Sequence, residues 1–88
     1  MIFERSLEVI KMGKKERYFY YVDENMESEF DCKMYCVGIR GEGKKEEIED
    51  FSPCKEEAVK LCELLYENCV MPKRIYAFSE EFIVMGNI

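Results

Sequence analysis

Ser52 to Pro72, SPCKEEAVKLCELLYENCVMP, constrains the fold more than any other stretch, because it combines a helix start, an apolar stripe and a helix stop. Ser52 suits an N-cap and Pro53 the first helical position. Glu56 and Glu57 set negative charge against the positive end of the helix dipole. At 100° per residue, Cys54, Ala58, Leu61, Cys62, Leu65 and Cys69 fall on one arc, flanked by Val59 and Tyr66. Glu56, Lys60, Glu63 and Glu67 fall opposite. A helix over about 53–70 is expected, and its stripe has to be buried against another layer.

That layer is expected from the first half of the chain. Residues 2–12 alternate well enough for a strand, with Leu7 and Val9 set against Ser6 and Glu8, and Gly13-Lys14-Lys15 reads as a hairpin turn. Residues 16–22 follow as a second strand, aromatic on both faces through Tyr18-Phe19-Tyr20-Tyr21. The polar run Asp23 to Glu29 reads as a loop. Residues 32–40 form a third strand, Gly41-Glu42-Gly43 a tight reversal, and residues 45–51 a short, charged fourth. After Pro72, Ile75, Phe78, Phe82 and Met85 recur at helical spacing, which predicts a second helix over about 72–85. The expected fold is therefore α+β: an antiparallel meander of three to four strands with two C-terminal helices packed on one face, in a single domain spanning residues 1–88.

With 88 residues, 48% hydrophobic and 14% aromatic, the chain is long enough for one modest core and too apolar for a disordered segment. The net charge of −6 is concentrated after residue 40. Charges at Glu4, Arg5 and Glu8 interrupt any apolar leader, and no run approaches the roughly 18 apolar residues of a membrane span, so a cytoplasmic protein with no membrane association is expected. Five cysteines without a leader read as reduced thiols.

Val37-Gly38-Ile39, Asp50-Phe51-Ser52, then Asn68, Val70 and Pro72, and finally Glu81-Phe82-Ile83 resemble, over nearly the whole chain, a family of short bacterial proteins catalogued only as a domain of unknown function. The chain departs from that family's pattern at Val37, where an aromatic precedes the Gly-Ile pair, and at Arg74-Ile75, where His-Leu follows the proline. The resemblance implies a helix over residues 72–85 and carries over no catalytic or binding residue.

Chemistry-bearing residues are sparse. With no histidine the usual proton shuttle near neutral pH is missing, and the serines lack a nucleophile context. Cys32 and Cys36 would lie about 13 Å apart on a strand, and Cys54, Cys62 and Cys69 about 10–12 Å apart along a helix, so no pair clamps a metal locally. No metal site and no cofactor are expected; the cysteines read as small buried hydrophobes. Cys54, at the second helical position beside unpaired N–H groups, is the one candidate reactive thiol, although Glu56 and Glu57 oppose thiolate formation. Gly38 to Lys44 matches the start of a phosphate-binding loop, but Lys45 stands where Ser or Thr must reach magnesium, so a hairpin is expected.

These features point to a non-catalytic protein-interaction or regulatory module, with an unknown protein or a second copy as partner. The candidate partner surface comprises Phe3, Leu7, Val9, Lys14, Lys15, Arg17, Tyr18 and Tyr20, on the first strand and first hairpin. One alternative is a thiol-based redox or nucleophilic activity at Cys54. The other is a nucleic-acid accessory role for the basic, aromatic hairpin, which a sequence pI of about 4.7 disfavours.

Overall fold

Two-residue turns with both φ angles positive organise the sheet. In the computed structural model, which describes residues 2–25 and 33–84 and side chains as far as Glu81, β1 (Phe3–Lys11) turns at Met12-Gly13 into β2 (Lys14–Asn25). β3 (Met34–Gly41) turns at Glu42-Gly43 into β4 (Lys44–Ser52). The turn residues lie at φ 49° and 79°, and at φ 49° and 76°, the geometry whose twist matches that of paired strands. Gly13 is the second turn residue, so the first reversal sits one position earlier than Gly13-Lys14-Lys15. The sheet is an antiparallel meander of order β1-β2-β3-β4.

β2 is longer than expected. Asp23, Glu24 and Asn25 pair with Cys36, Tyr35 and Met34, which satisfies their backbone in the ladder although their side chains are polar. Of the loop expected over 23–29, residues 23–25 are strand, and residues 26–29 lie outside the described residues, as does Cys32. Near the far end of β4 the register shifts between Tyr35 and Val37. Asp50 adopts φ 48° there and accepts a 2.8 Å hydrogen bond from the Asn25 amide.

Register assigns each side chain to a face. Phe3, Arg5, Leu7 and Val9 share a face with Tyr18, Tyr20 and Val22, and with Tyr35, Val37 and Ile39. Helix α1 (Lys55–Glu67) lies across this face, burying Ala58, Leu61, Cys62 and Leu65, and α2 (Ile75–Val84), entered through a 3₁₀ turn at Pro72–Arg74, packs beside α1 and β4. Tyr20, Val22, Val37, Ile39, Leu61, Cys62, Leu65 and Ile75 are fully enclosed. The Tyr20 ring meets Tyr66 edge-on at 5.8 Å, and its hydroxyl donates to the Val70 carbonyl at 2.9 Å, so its one polar atom is satisfied inside the core.

The helix boundaries differ from those expected at 53 and 70. Ser52 remains in β4, where its buried hydroxyl accepts from the Cys54 amide at 3.0 Å and donates to the Glu57 carboxylate at 2.8 Å. Cys54, at φ −100° and ψ 115°, becomes the N-cap. The helix stops at a Schellman motif: Val70 N–H bonds the Leu65 carbonyl and Cys69 N–H bonds the Tyr66 carbonyl. Cys69, the residue that must turn left-handed, has φ 51° and is exposed, which takes it out of the buried stripe. Glycine carries no Cβ penalty in that conformation. Cys69→Gly is therefore expected to stabilise the protein by about 1 kcal/mol, or roughly 4–8 °C in melting temperature, whereas Cys69→Ala, which keeps the Cβ, is not. Thermal unfolding of the two variants side by side checks this.

Candidate interaction surface

The two edges of the sheet are unlike. Beside β4 runs α2, and the Tyr76 hydroxyl donates to the Glu47 carbonyl at 2.6 Å, so an edge acceptor of β4 is already occupied from within the chain. Lys45, Glu46 and Glu49 add exposed charge along the same strand. At β1, no described strand pairs with the outer edge over nine residues that contain neither proline nor glycine. Sequence alone had not revealed that Tyr76 engages one edge, because the contact depends on where α2 docks.

Alternation decides which β1 groups are free. In a hairpin with a two-residue turn the flanking pair, Lys11 and Lys14, exchanges hydrogen bonds, and every second pair toward Phe3 and Val22 does likewise. The alternation breaks just before the strand, where the Ile2 N–H also turns inward, to the carbonyl of Val22, Phe3's own partner, at 3.0 Å. Glu4, Ser6, Glu8 and Ile10 consequently turn their backbone N–H and C=O groups outward. These are the groups a further strand would use.

The expected partner surface divides when placed on this frame. Phe3, Leu7 and Val9 are half-buried along the margin of the helix-covered face, with the Arg5 guanidinium 4.8 Å above the Phe3 ring. Between this margin and α1 lies a groove of about 470 Å³, lined by Ile2, Phe3, Val59, Lys60 and Glu63 among others. Lys14, Lys15 and Arg17 are exposed on the first residues of β2. Tyr18 and Tyr20 do not belong to any surface: they are 4% and 0% exposed, because the face they occupy is the one α1 covers. Ile10, 70% exposed, and Met12, at the hairpin tip, are the apolar groups at this edge that the sequence reading passed over; Ile10 signalled itself by falling on the polar side of β1's alternation.

Burial of those tyrosines bears on the basic hairpin as well. Phe19, the neighbouring aromatic on the opposite face, has the Arg40 guanidinium 4.4 Å over its ring, while Arg17 is bonded to Glu8 at 3.2 Å. Lysines and open aromatic faces do not converge into a stacking platform.

The thiols are equally dispersed. Cys36, Cys54, Cys62 and Cys69 are free. Burial pushes the Cys62 thiol up to about 12, and burial together with Glu47 and Asp23 pushes Cys36 up to about 11, so both stay protonated near neutrality. Cys54 is half-buried, and its sulfur lies 3.4 Å from a Glu56 carboxylate oxygen, which accepts the thiol hydrogen. Backbone hydrogen bonding and then this thiol hold the Glu56 carboxyl below its ordinary value. Among the described residues no His, Cys, Asp and Glu group could hold a metal ion, and no helix is long and apolar enough to cross a membrane.

Comparison with known proteins adds a family and no function. A family model described as "Family of unknown function (DUF6514)" matches residues 1–85, in agreement with the resemblance carried by Val37-Gly38-Ile39 and the motifs after it. No curated protein and no solved structure matches the chain. On that match the chain belongs to the DUF6514 family of unknown function.

Proposed function

We propose that the protein is a non-catalytic interaction module of the cytoplasm that binds its partner by accepting an additional strand along the outer edge of β1. The observation that carries this reading is the asymmetry of the sheet: α2 packs beside β4 and Tyr76 engages its edge at the Glu47 carbonyl, whereas Glu4, Ser6, Glu8 and Ile10 present outward backbone groups with no described strand beside them. Main-chain bonding supplies affinity in this mode, and the half-buried Phe3, Leu7 and Val9 supply apolar contact beside it. The free thiols at Cys36, Cys54, Cys62 and Cys69 suit a reducing compartment.

Residue-resolved amide exchange tests the reading, with the labelled chain dilute, concentrated, and in a concentrated cell extract. The outward amides of Glu4, Ser6, Glu8 and Ile10 are expected to slow by about tenfold or more in at least one of the latter conditions. Those of Leu7 and Val9, already bonded to β2, should change little. Ser6→Pro deletes an outward N–H without touching the β2 ladder and is expected to abolish the slowing. Identical exchange in all conditions, or slowing that survives the proline, would rule out strand addition at β1.

A further inference from the structure

We infer that the strand added to β1 is β1 of a second copy of this chain, paired antiparallel about a two-fold axis through Leu7. The inference rests on the strand-addition reading and names its partner and register.

Charge is the first argument. The chain carries −6 overall, so most of its surface repels a second copy, but β1 itself holds Glu4 and Glu8 against Arg5 and Lys11 and is neutral. Both carboxylates are also compensated from within the sheet, Glu4 by Arg40 of β3 at 2.9 Å and Glu8 by Arg17 of β2 at 3.2 Å. At this edge two identical acidic chains can approach without a net electrostatic penalty.

The choice of register is the second. A two-fold axis normal to the sheet pairs residues that share a face, so permissible registers differ in steps of two and centre on a single residue. Centring on Arg5 opposes it to its own copy. Centring on Ser6 sets Glu4 against Glu8 twice over, and centring on Glu8 opposes Glu8 to itself and Arg5 to Lys11. Each places like charges directly across the ladder, which is destabilising. Centring on Val9 or beyond leaves only a fragment of the strand paired. The Leu7 register alone pairs all of Phe3–Lys11 with no like charges opposed: Leu7 meets Leu7, Ser6 meets Glu8, Arg5 meets Val9, Glu4 meets Ile10, and Phe3 meets Lys11. It also brings the outward groups of Ser6 and Ile10 opposite those of the second copy's Glu8 and Glu4, forming mutually bonded pairs. Exposed Ile10 then lies against the aliphatic stem of Glu4. The half-buried margin of Phe3, Leu7 and Val9 runs on into that of the other copy.

Sedimentation equilibrium of the full chain, with substitutions at exposed Ser6, tests partner and register together. Wild type is expected to dimerise. Ser6→Lys sets a cation against the second copy's Glu8 on both sides of the axis and is expected to tighten the dimer several-fold, whereas Ser6→Glu should weaken it about tenfold and Ser6→Pro abolish it. Under a Ser6-centred register, Ser6→Lys would instead oppose two lysines, so a dimer weakened or unchanged by Ser6→Lys overturns the Leu7 register. A wild type that stays monomeric at every concentration overturns the second copy as partner. In that event slowed outward amides in cell extract would still uphold strand addition, and their absence would remove both proposals.

Discussion

Leu61→Ala is expected to lower the folding free energy by about 3–4 kcal/mol, within the roughly 2–5 kcal/mol that truncation of buried leucines removes. Leu61 is completely enclosed on the face of α1 that crosses the sheet, among Tyr20, Val22, Val37 and Ile39 of the same core cluster. Losing its apolar atoms forfeits the transfer term. The space left is bounded by β-branched and aromatic side chains anchored in a sheet, which have little freedom to collapse into it. A domain of this length has a total stability near the low end of the usual range of about 5–15 kcal/mol, so the variant gives up a large share of it. Urea unfolding should show a lower midpoint with an unchanged slope. Leu64→Ala, one residue short of the buried stripe and only half-buried, should cost less than half as much. Equal costs at the two positions, or a loss below about 1 kcal/mol at Leu61, would mean that α1 does not seat on the sheet through this stripe.

That stripe was legible because burial and period coincide in it. Ala58, Leu61, Cys62 and Leu65 are the helical residues that a 100° step places together and that the fold encloses. The meander was legible for a similar reason, since Gly13 and Gly43 supply the positive φ that short hairpins require. What failed did so where tertiary geometry chose between locally equivalent options. Ser52 is a good cap by its chemistry, yet the strand claimed it, its hydroxyl bridges strand end and helix start, and the N-cap position fell to Cys54, whose side chain makes no capping bond. Cys69 continues the apolar spacing, yet the chain must reverse there, and the Schellman bonds at Cys69 and Val70 hold it outside. Tyr18 and Tyr20 alternate with Phe19 and Tyr21, and alternation states only that the two pairs occupy different faces. Which face α1 would cover was not written in β2, so two core residues were assigned to a surface. The candidate site was legible as a strand, through the length and apolar character of β1. It was not legible by contrast with the other edge, because Tyr76 reaches β4 at Glu47 across 29 residues of sequence.

Gly38→Ala is expected to cost about 2–3 kcal/mol, a large effect for the addition of one methyl group. On the face of the sheet away from α1, Tyr21 is nonetheless only 3% exposed, and the hydroxyl end of its ring lies over Gly38 of the neighbouring strand. A Cβ built at Gly38 meets three atoms of that ring, including its hydroxyl oxygen. The ring is fixed by its far end, where the hydroxyl donates to the Glu47 carboxylate at 2.7 Å, and Lys45 places its ammonium 5.9 Å from the ring centre. Burial and the Glu47 carboxylate both raise the Tyr21 phenol well above its ordinary value, so the hydroxyl is a donor near neutral pH. Admitting the methyl group lifts the ring, breaks the bond to Glu47 and exposes the aromatic surface that shields this stretch of backbone. Removing the ring should reverse the sign. In a Tyr21→Ala background no ring remains to be displaced, and alanine restricts the unfolded chain more than glycine does, so Gly38→Ala should then stabilise by about 0.5 kcal/mol. Urea unfolding of the four proteins closes a double-mutant cycle whose coupling energy should reach about 2.5–3.5 kcal/mol. Additive costs would show that Gly38 is required by its own backbone geometry, and that Tyr21 lies over it without depending on the space.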